Sequence, residues 1–599
     1  MSKSTHCLAI IMAITMLTAC QTASIPNHTI HDDPSMWVAI DDLGRQIEPD
    51  AYPATRQDKQ VGIFYFLWLG CHGYDTPANN NDVVYPTAND TQSPYNNQQA
   101  YAASPDNPSF GGGRVMHHWN EPYFGYYLSD DEWVMRRHAQ MLSSAGVDVV
   151  FFDVTNAYTY LPIVERLCNV YKQIRAEGGN TPQIAFILNS NPVPTLAKLY
   201  DEFYKPQHHS DLWYLWEDKP LILAPEEAAT DEHKTFFTIR RTWFASHPDP
   251  EGEWFGDGHN RWTWADYYPQ QAGWSTSPNA PEQVSICPAT HPHTNHGRSH
   301  DGINQPSKEN WDSGRGIYFA KEIERALEID PKFVFITGWN EWTAQRQLFP
   351  PNMNFANSYQ RDGHTTFFVD QFNDEFSRDL EPTRGALGDN YYYQMVDFIR
   401  RYKGVNPTPI YSTQHSPKID GRFGDWNGVE ATYTDYKGDT TPRNAIGWGR
   451  TGRYINNSGR NDIVATKVCS DNKNIYFMAE CTDTITDPED FWMTLYISTG
   501  TEQNWESFDY AINRKNGILE HSCGGWNWEK VGNISYRTNA NKIELEIPLA
   551  SIGITSSESF TIDFKWIDNS CRNGDIKECM DLGDAAPDAR FKYRYRFAK

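Results

Sequence analysis

The sequence predicts an α/β protein, a (β/α)8 TIM-type barrel, followed by an all-β sandwich domain. Eight short runs of β-branched and aromatic residues alternate with helical stretches across residues 58–403, the order that a parallel sheet covered by helices requires. The segment Gly404 to Lys418 then brings three prolines and no sustained periodicity, a linker composition. Beyond it the chain turns to short strand-like runs punctuated by turn residues, as in a sandwich.

The first barrel run, Val61 to Leu69, is continuously apolar, as a strand buried on both faces must be. The others are Val147–Val154, Gln183–Leu188, Pro220–Ala224, Phe236–Trp243, Arg261–Asp266, Gln283–Pro288 and Lys332–Thr337. A helix is expected after Ser129-Asp-Asp-Glu132, a capping-box spacing in which the Ser oxygen and the Glu side chain satisfy free amides. Val134, His138, Met141, Leu142 and Ala145 share one face of it, and Gly146 marks its stop. The connections around strands six and seven are poor in helix, which keeps an open parallel sheet as the alternative. After the linker, Asp462–Val468, Asn474–Glu480, Phe491–Ser498, Asp509–Arg514, Asn533–Arg537, Lys542–Ile547 and Phe560–Trp566 read as strands. The organisation is a signal peptide at 1–19, a tether and lead-in at 20–57, the barrel at 58–403, a linker at 404–418 and the sandwich at 419–599.

Lys3 and the apolar run Cys7 to Leu17 have the length of a signal-peptide core, too short to span a bilayer. Leu17-Thr-Ala-Cys20 resembles a bacterial lipoprotein box, which implies lipidation of Cys20 and export to the bacterial outer membrane, at the cell surface or its periplasmic face. An ordinary signal peptide with a chance cysteine is the alternative. Gln21 to Ser35 is polar and reads as a tether. No later stretch approaches the apolar length of a membrane span, so the lipid is the only expected membrane contact. The net charge of −25 repels phosphate backbones and excludes nucleic acid as a partner. Export permits disulfides, and Cys571 with Cys579 is the nearest pair among the five cysteines of the C-terminal part. The absence of any Cys-x-x-Cys pair argues against structural zinc, and no cofactor is expected. Aromatic residues are 14% of the chain, with 21 tryptophans, more than a core alone needs, and this suggests stacking platforms for sugar rings.

Barrel chemistry sits at the carboxyl ends of the strands. The connection from Cys71 to Ser129 is unusually long and carries His72, Tyr74, Gly111 to Gly113, His117, His118, Trp119 and Tyr123, the makings of a cleft wall. Strand eight runs into Gly338-Trp339-Asn340-Glu341-Trp342. An amide, a carboxylate and two indoles suit a glycan, whose apolar faces stack on rings while its hydroxyls need polar partners.

The aromatic first strand Gly62 to Trp68, the stretch Ser144 to Asp153 and the Trp-Asn-Glu-Trp motif resemble glycoside hydrolase families 71 and 99 and related barrel domains, over about residues 58–403. Family 99 members are retaining endo-α-mannosidases whose motif continues Trp-Asn-Glu-Trp-x-Glu, with both glutamates catalytic. This sequence departs at Ala344, where the resemblance requires the second acid. A glycosidase needs a proton donor and a second carboxylate, so another strand end must supply one. Asp153 after strand two and Asp266 after strand six are the next choices after Glu341; Glu226 and Glu227 after strand four are further acids. The expected substrate-binding set is Trp68, His72, Trp119, Asn156, Trp264, Tyr267, Trp339, Asn340 and Trp342. Asp370, Asn373, Glu375, Arg378 and Glu381 either complete the cleft or cap the last helix, and Glu375 with Arg378 has the spacing of a surface bridge. His291, His293, His296 and His300 form a rival metal signal, although their spacing does not match a helical ligand pair, and no metal is assigned.

Ile419-Asp-Gly421, Gly424-Asp-Trp426, the hairpin Asp471 to Phe477, Phe508 to Asn513 and Glu544 to Leu549 resemble a family 9 carbohydrate-binding module, over roughly 417–599. That implies sugar clamped between rings, with Trp492, Trp505, Trp526 and Trp528 available. The reading is a glycoside hydrolase cleaving a polysaccharide or complex glycan; the alternative is a non-catalytic surface glycan-binding lipoprotein.

Overall fold

The computed structural model describes residues 33–70, 83–84, 116–245, 254–290, 296–348, 366–368, 371, 373–449, 451–486, 491–500, 505–555 and 558–599. The signal-like segment with Cys20, and His72, lie outside the described residues. Eight parallel strands form a nearly closed barrel: β1 Gln60–Tyr65, β2 Val149–Asp153, β3 Gln183–Ile187, β4 Lys219–Leu223, β5 Thr238–Phe244, β6 Arg261–Ala265, β7 Gln283–Ile286 and β8 Phe333–Ile336. Their order is β6-β5-β4-β3-β2-β1-β8-β7. Phe64, Phe151, Phe335 and Trp264 fill the interior, with Phe151 and Phe335 centroids 4.9 Å apart and Phe64 5.9 Å from Trp264. Gly62 makes room for this layer, since a Cβ there would fall 2.5–2.9 Å from Phe151, Phe333 and Val149.

The ring closes at β6 and β7 without a backbone ladder. The buried Gln283 side chain stands in for a peptide: its Oε1 accepts from the Thr263 N–H (2.9 Å) and its Nε2 donates to the Thr263 carbonyl (2.8 Å). Gly273 is wedged against the same seam, exchanging backbone bonds with Gln283, and a Cβ on it would lie 1.7 Å from the Arg261 carbonyl. This side-chain seam coincides with the helix-poor connections, because among the described residues none follows β5 or β6.

Helices α1 Glu132–Ala145, α2 Leu161–Ala176, α3 Pro192–Leu199, α4 Asp231–Phe236, α5 Ile317–Ile329 and α6 Asn390–Lys403 cover the outside. The cap of α1 differs from the expected box. Asp131 is the N-cap, accepting from Trp133 and Val134 amides, while Ser129 Oγ accepts from the Leu69 N–H. Gly146 ends α1 at φ 91° as expected. Nearly the whole of α1 is buried, Arg136 and Arg137 included, because the second domain covers the face that a lone barrel would expose.

The second domain packs two antiparallel sheets. One runs Thr432–Thr434, Ile463–Ser470, Asn474–Cys481, Lys542–Pro548, Ser535–Asn539; the other is built on Thr494–Ser498 and the long strand Ser559–Asp568. Phe477 meets Phe564 at 5.3 Å across the core, and Trp566 Nε1 donates to Thr466 Oγ1. Each expected sandwich run contains a strand. The hairpin Arg443–Ile446 with Arg453–Asn456 was not anticipated, and it grips the barrel: Arg443 donates to Asp131 Oδ2 (2.7 and 2.9 Å) and to the Phe124 carbonyl.

From Asp33 the chain is packed. Asp33 caps a short turn, Trp37 is buried on Phe591 and Tyr593, and Arg590 ties Asp42, Asp389 and Glu506 together at 2.5, 2.6 and 2.8 Å. Cys571 Sγ lies 3.1 Å from Cys579 Sγ, both buried, so oxidised protein should yield a Cys571–Cys579 bridged peptide on non-reducing mass mapping. Replacing Gln283 with Leu leaves two buried backbone groups at Thr263 unpaired. It should lower stability by about 2–4 kcal/mol in urea titration.

Candidate active site

Glu341 stands on the loop leaving β8, at the carboxyl-end mouth of the barrel. Its carboxylate is almost enclosed. Oε2 accepts from Gln371 Nε2 (2.8 Å) and pairs with Arg378 Nη2 (3.0 Å). Arg378 in turn lies over the Trp264 ring at 5.3 Å. The backbone of Glu341 is fixed from two sides, its N–H donating to Asp379 Oδ1 (2.8 Å) and its carbonyl accepting from Trp119 Nε1 (2.9 Å). An ion pair and an amide donor thus meet on one oxygen of Glu341.

The rest of the Trp-Asn-Glu-Trp motif builds the frame and does not line the cleft. Trp339 and Trp342 are fully buried. Trp342 stacks on Trp119 (4.7 Å, 17°) and its Nε1 donates to Glu381. Asn340 extends the sheet with its side chain: Oδ1 accepts from the Phe66 N–H and Nδ2 donates to the Phe66 carbonyl. These three, and Trp119 at 4% exposed, are therefore corrected from sugar platforms to supports. The polar atoms of Asn340, Trp342 and Trp119 are engaged with buried backbone and carboxylate groups, while Trp339 is held by its ring, edge-on to His138 at 5.5 Å.

The other expected residues divide. Asp153 ends β2 with the same inward alternation as Phe151, and its Oδ1 accepts from the Thr155 amide and hydroxyl. Asp266 is buried with both oxygens holding a turn, Oδ1 on the Tyr267 N–H and Oδ2 on the Gln271 N–H, the geometry of a structural acid. Trp68 is buried beside Phe66 at 6.1 Å. Trp264 is half-buried beneath Arg378, and half-buried Tyr267 packs on Phe244 at 4.8 Å. Asn156 is exposed, as are Glu226 and Glu227 on a short turn. The rings of His296 and His300 lie 3.9 Å apart, tilted by 32°, and burial pushes His296 down to about 4 and lowers His300, so both are neutral near pH 7. His291 and His293 lie outside the described residues.

The segment after the mouth supplies what sequence reasoning left open. Glu375 and Arg378 form no surface bridge. Glu375 is buried and accepts from Ser299, Gln305 and Ser313, closing the 297–313 loop. Arg378, Gln371 and Asp379 surround Glu341. Asp379 is pushed up to about 6, chiefly by burial. The only signal for these was the density of polar residues among aromatics just beyond strand eight.

The chain matches no protein-family model and no curated protein. Among solved structures it is similar to the family 99 endo-α-mannosidase from Bacteroides thetaiotaomicron. The form in complex with Bis-Tris propane is 14% identical, covers 58% of this chain and 98% of that one, and has a TM-score of 0.31. A second structure of that enzyme is 14% identical, covers 59% and 100%, and has a TM-score of 0.32.

Asp379 gives a signed test. Its unfolded value is near 3.8 and its folded value about 6, so the folded chain holds a proton that the unfolded chain releases. Stability therefore falls as pH rises between those values and levels off above them. Asp379→Asn removes that loss. The stability of the variant relative to the parent, from urea titrations, should rise by on the order of 2–3 kcal/mol between pH 4 and pH 7.

Proposed function

We propose that the protein is a glycoside hydrolase acting on a polysaccharide or complex glycan, with Glu341 as the ionised carboxylate and Asp379 as the proton donor. Glycoside cleavage uses two carboxyl groups in opposite protonation states, set by environment. The observation that carries the reading is that pairing: Glu341 paired with Arg378 and bonded by Gln371, with Asp379 one peptide N–H away and kept protonated up to about pH 6 by burial. Asp153, aimed inward from β2, is the other proton-donor candidate. Asp266 ranks below both, because each of its oxygens already accepts from a backbone amide of the turn. Export and acylation at Cys20 belong to the same reading, which puts the enzyme in contact with external glycans.

One observation favours a second reading, a non-catalytic glycan-binding lipoprotein. Ala344 occupies the position of the family's second glutamate, buried in an antiparallel pairing opposite His117. Release of new reducing ends from a panel of polysaccharides separates the two, because a binder retains affinity and releases none.

Glu341→Gln should reduce hydrolysis at least about a thousandfold. It should also cost about 2 kcal/mol of stability, since Arg378 stays buried without its countercharge. Parent-level activity in that variant overturns the assignment. Asp379→Asn should slow natural glycans strongly while sparing aryl glycosides with good leaving groups, which need no proton. If Asp153→Asn gives that leaving-group pattern and Asp379→Asn does not, the donor is Asp153.

A further inference from the structure

A cluster of acids unrelated to the barrel mouth lies where the two domains meet. Asp435 and Asp439 sit on the turn after strand Thr432–Thr434, which bends at Gly438 with φ 79°; Asp584 begins the strand Asp584–Ala586, and Asp588 follows it. One carboxylate oxygen from each of Asp435, Asp439 and Asp584 lies within 4.8 Å of the others. Arg137 of α1 reaches in from the barrel, its Nη1 3.6 Å from Asp439 Oδ2 and 3.7 Å from Asp588 Oδ1, while its Nη2 hydrogen bond goes to the Asp439 carbonyl.

The second observation is what these acids lack. Both oxygens of Asp435 and both of Asp439 are shielded from solvent and receive no hydrogen bond. Asp439 is 2% exposed. Buried polar atoms are paired almost without exception, and buried charges more strictly still. Asp584 is different, since its oxygens accept from the Ile463 and Ala585 amides, which holds it in place while leaving each oxygen a further lone pair. Burial and mutual repulsion raise Asp435, Asp439 and Asp584 well above the ordinary carboxylate range, so the cluster needs either protons or a cation.

We propose that Asp435, Asp439 and Asp584, with Asp588 behind them, bind a hard divalent cation of the size of calcium at the junction of barrel and sandwich. Calcium takes about 6–8 oxygens at roughly 2.3–2.6 Å, so ligands across the ion stand about twice that far apart, in keeping with the 4.8 Å span. The donor set is all oxygen, which suits calcium and not zinc or copper. Magnesium demands shorter, stricter octahedral geometry and sheds water reluctantly. Arg137 and the buried Lys565, whose charge reaches Asp588, offset at most two of the four carboxylates, and a dication balances the rest. Because Arg137 belongs to the barrel and the acids to the sandwich, the ion would strengthen the contact between domains.

The test uses the full chain treated with EGTA and then titrated with calcium chloride or magnesium chloride by calorimetry, with thermal unfolding in parallel. One calcium per chain is expected. Calcium should raise the melting temperature by several degrees, and equal magnesium should do less. Asp435→Asn and Asp439→Asn should each weaken calcium binding at least tenfold and abolish the thermal response. The proposal is overturned if the parent binds no calcium at millimolar concentration, or if both variants bind it like the parent. It is also overturned if Asp435→Asn melts higher than the calcium-treated parent at neutral pH, the sign expected when only repulsion between acids is relieved.

Discussion

The barrel mouth depends on one buried carboxylate. Glu381 accepts from Trp342 Nε1 (2.5 Å) and Tyr127 OH (2.7 Å) at Oε2, and His138 Nε2 of α1 lies 3.0 Å from its Oε1. Tyr65 OH of β1 shares a hydrogen bond with the other nitrogen of His138 (2.9 Å), and Asn340 reaches toward Tyr127 while clamping Phe66. A carboxylate this far from water depends on the partners it has, here two hydrogen bonds on Oε2 and the nearby imidazole, and removing one partner of such a group typically costs several kcal/mol. Four segments are thereby bound to one another: the end of β1, helix α1, the 123–128 loop and the chain that follows β8.

Glu341 inherits its position from that lock. Residues 338–342 and 378–381 run side by side, Gly338 N–H donating to the Arg378 carbonyl and Glu381 N–H to the Trp339 carbonyl. Glu341 and Arg378 therefore come from two stretches that cannot slide past each other while Glu381 stays satisfied. The motif spends two indoles and an amide on rigidity so that one carboxylate can be held against a guanidinium, the kind of support that precise catalytic geometry requires.

This division of labour explains what the sequence revealed and what it hid. Barrel strands such as Val149–Asp153 were legible because burial on both faces demands an unbroken apolar run. Glu341 stood out in the sequence because a carboxylate just past a barrel strand has few structural duties. Trp342 misled because an indole reads the same whether its N–H meets a sugar or Glu381. Asp131 displaced Ser129 as the cap of α1 because Ser129 Oγ was needed by the Leu69 amide sixty residues away, a demand no local pattern records. Gln283 was unreadable for the same reason, since its partner, the Thr263 backbone, lies in another strand.

The excess negative charge is also unevenly used. Several of the buried arginines sit at junctions: Arg443 on Asp131, Arg590 on Asp42, Asp389 and Glu506, Arg594 on Glu48 and Asp563. Each joins segments from different parts of the chain, and Arg443 holds the start of α1, whose His138 serves Glu381. Trp448 of the sandwich packs on His118 of the mouth loop at 5.2 Å, and its backbone N–H donates to the Tyr126 carbonyl. The second domain thus lies one helix away from the carboxylate lock and against the loop that carries Trp119. The docking face of the sandwich is part of the scaffold that positions Glu341, and the barrel mouth has to be treated as a product of both domains.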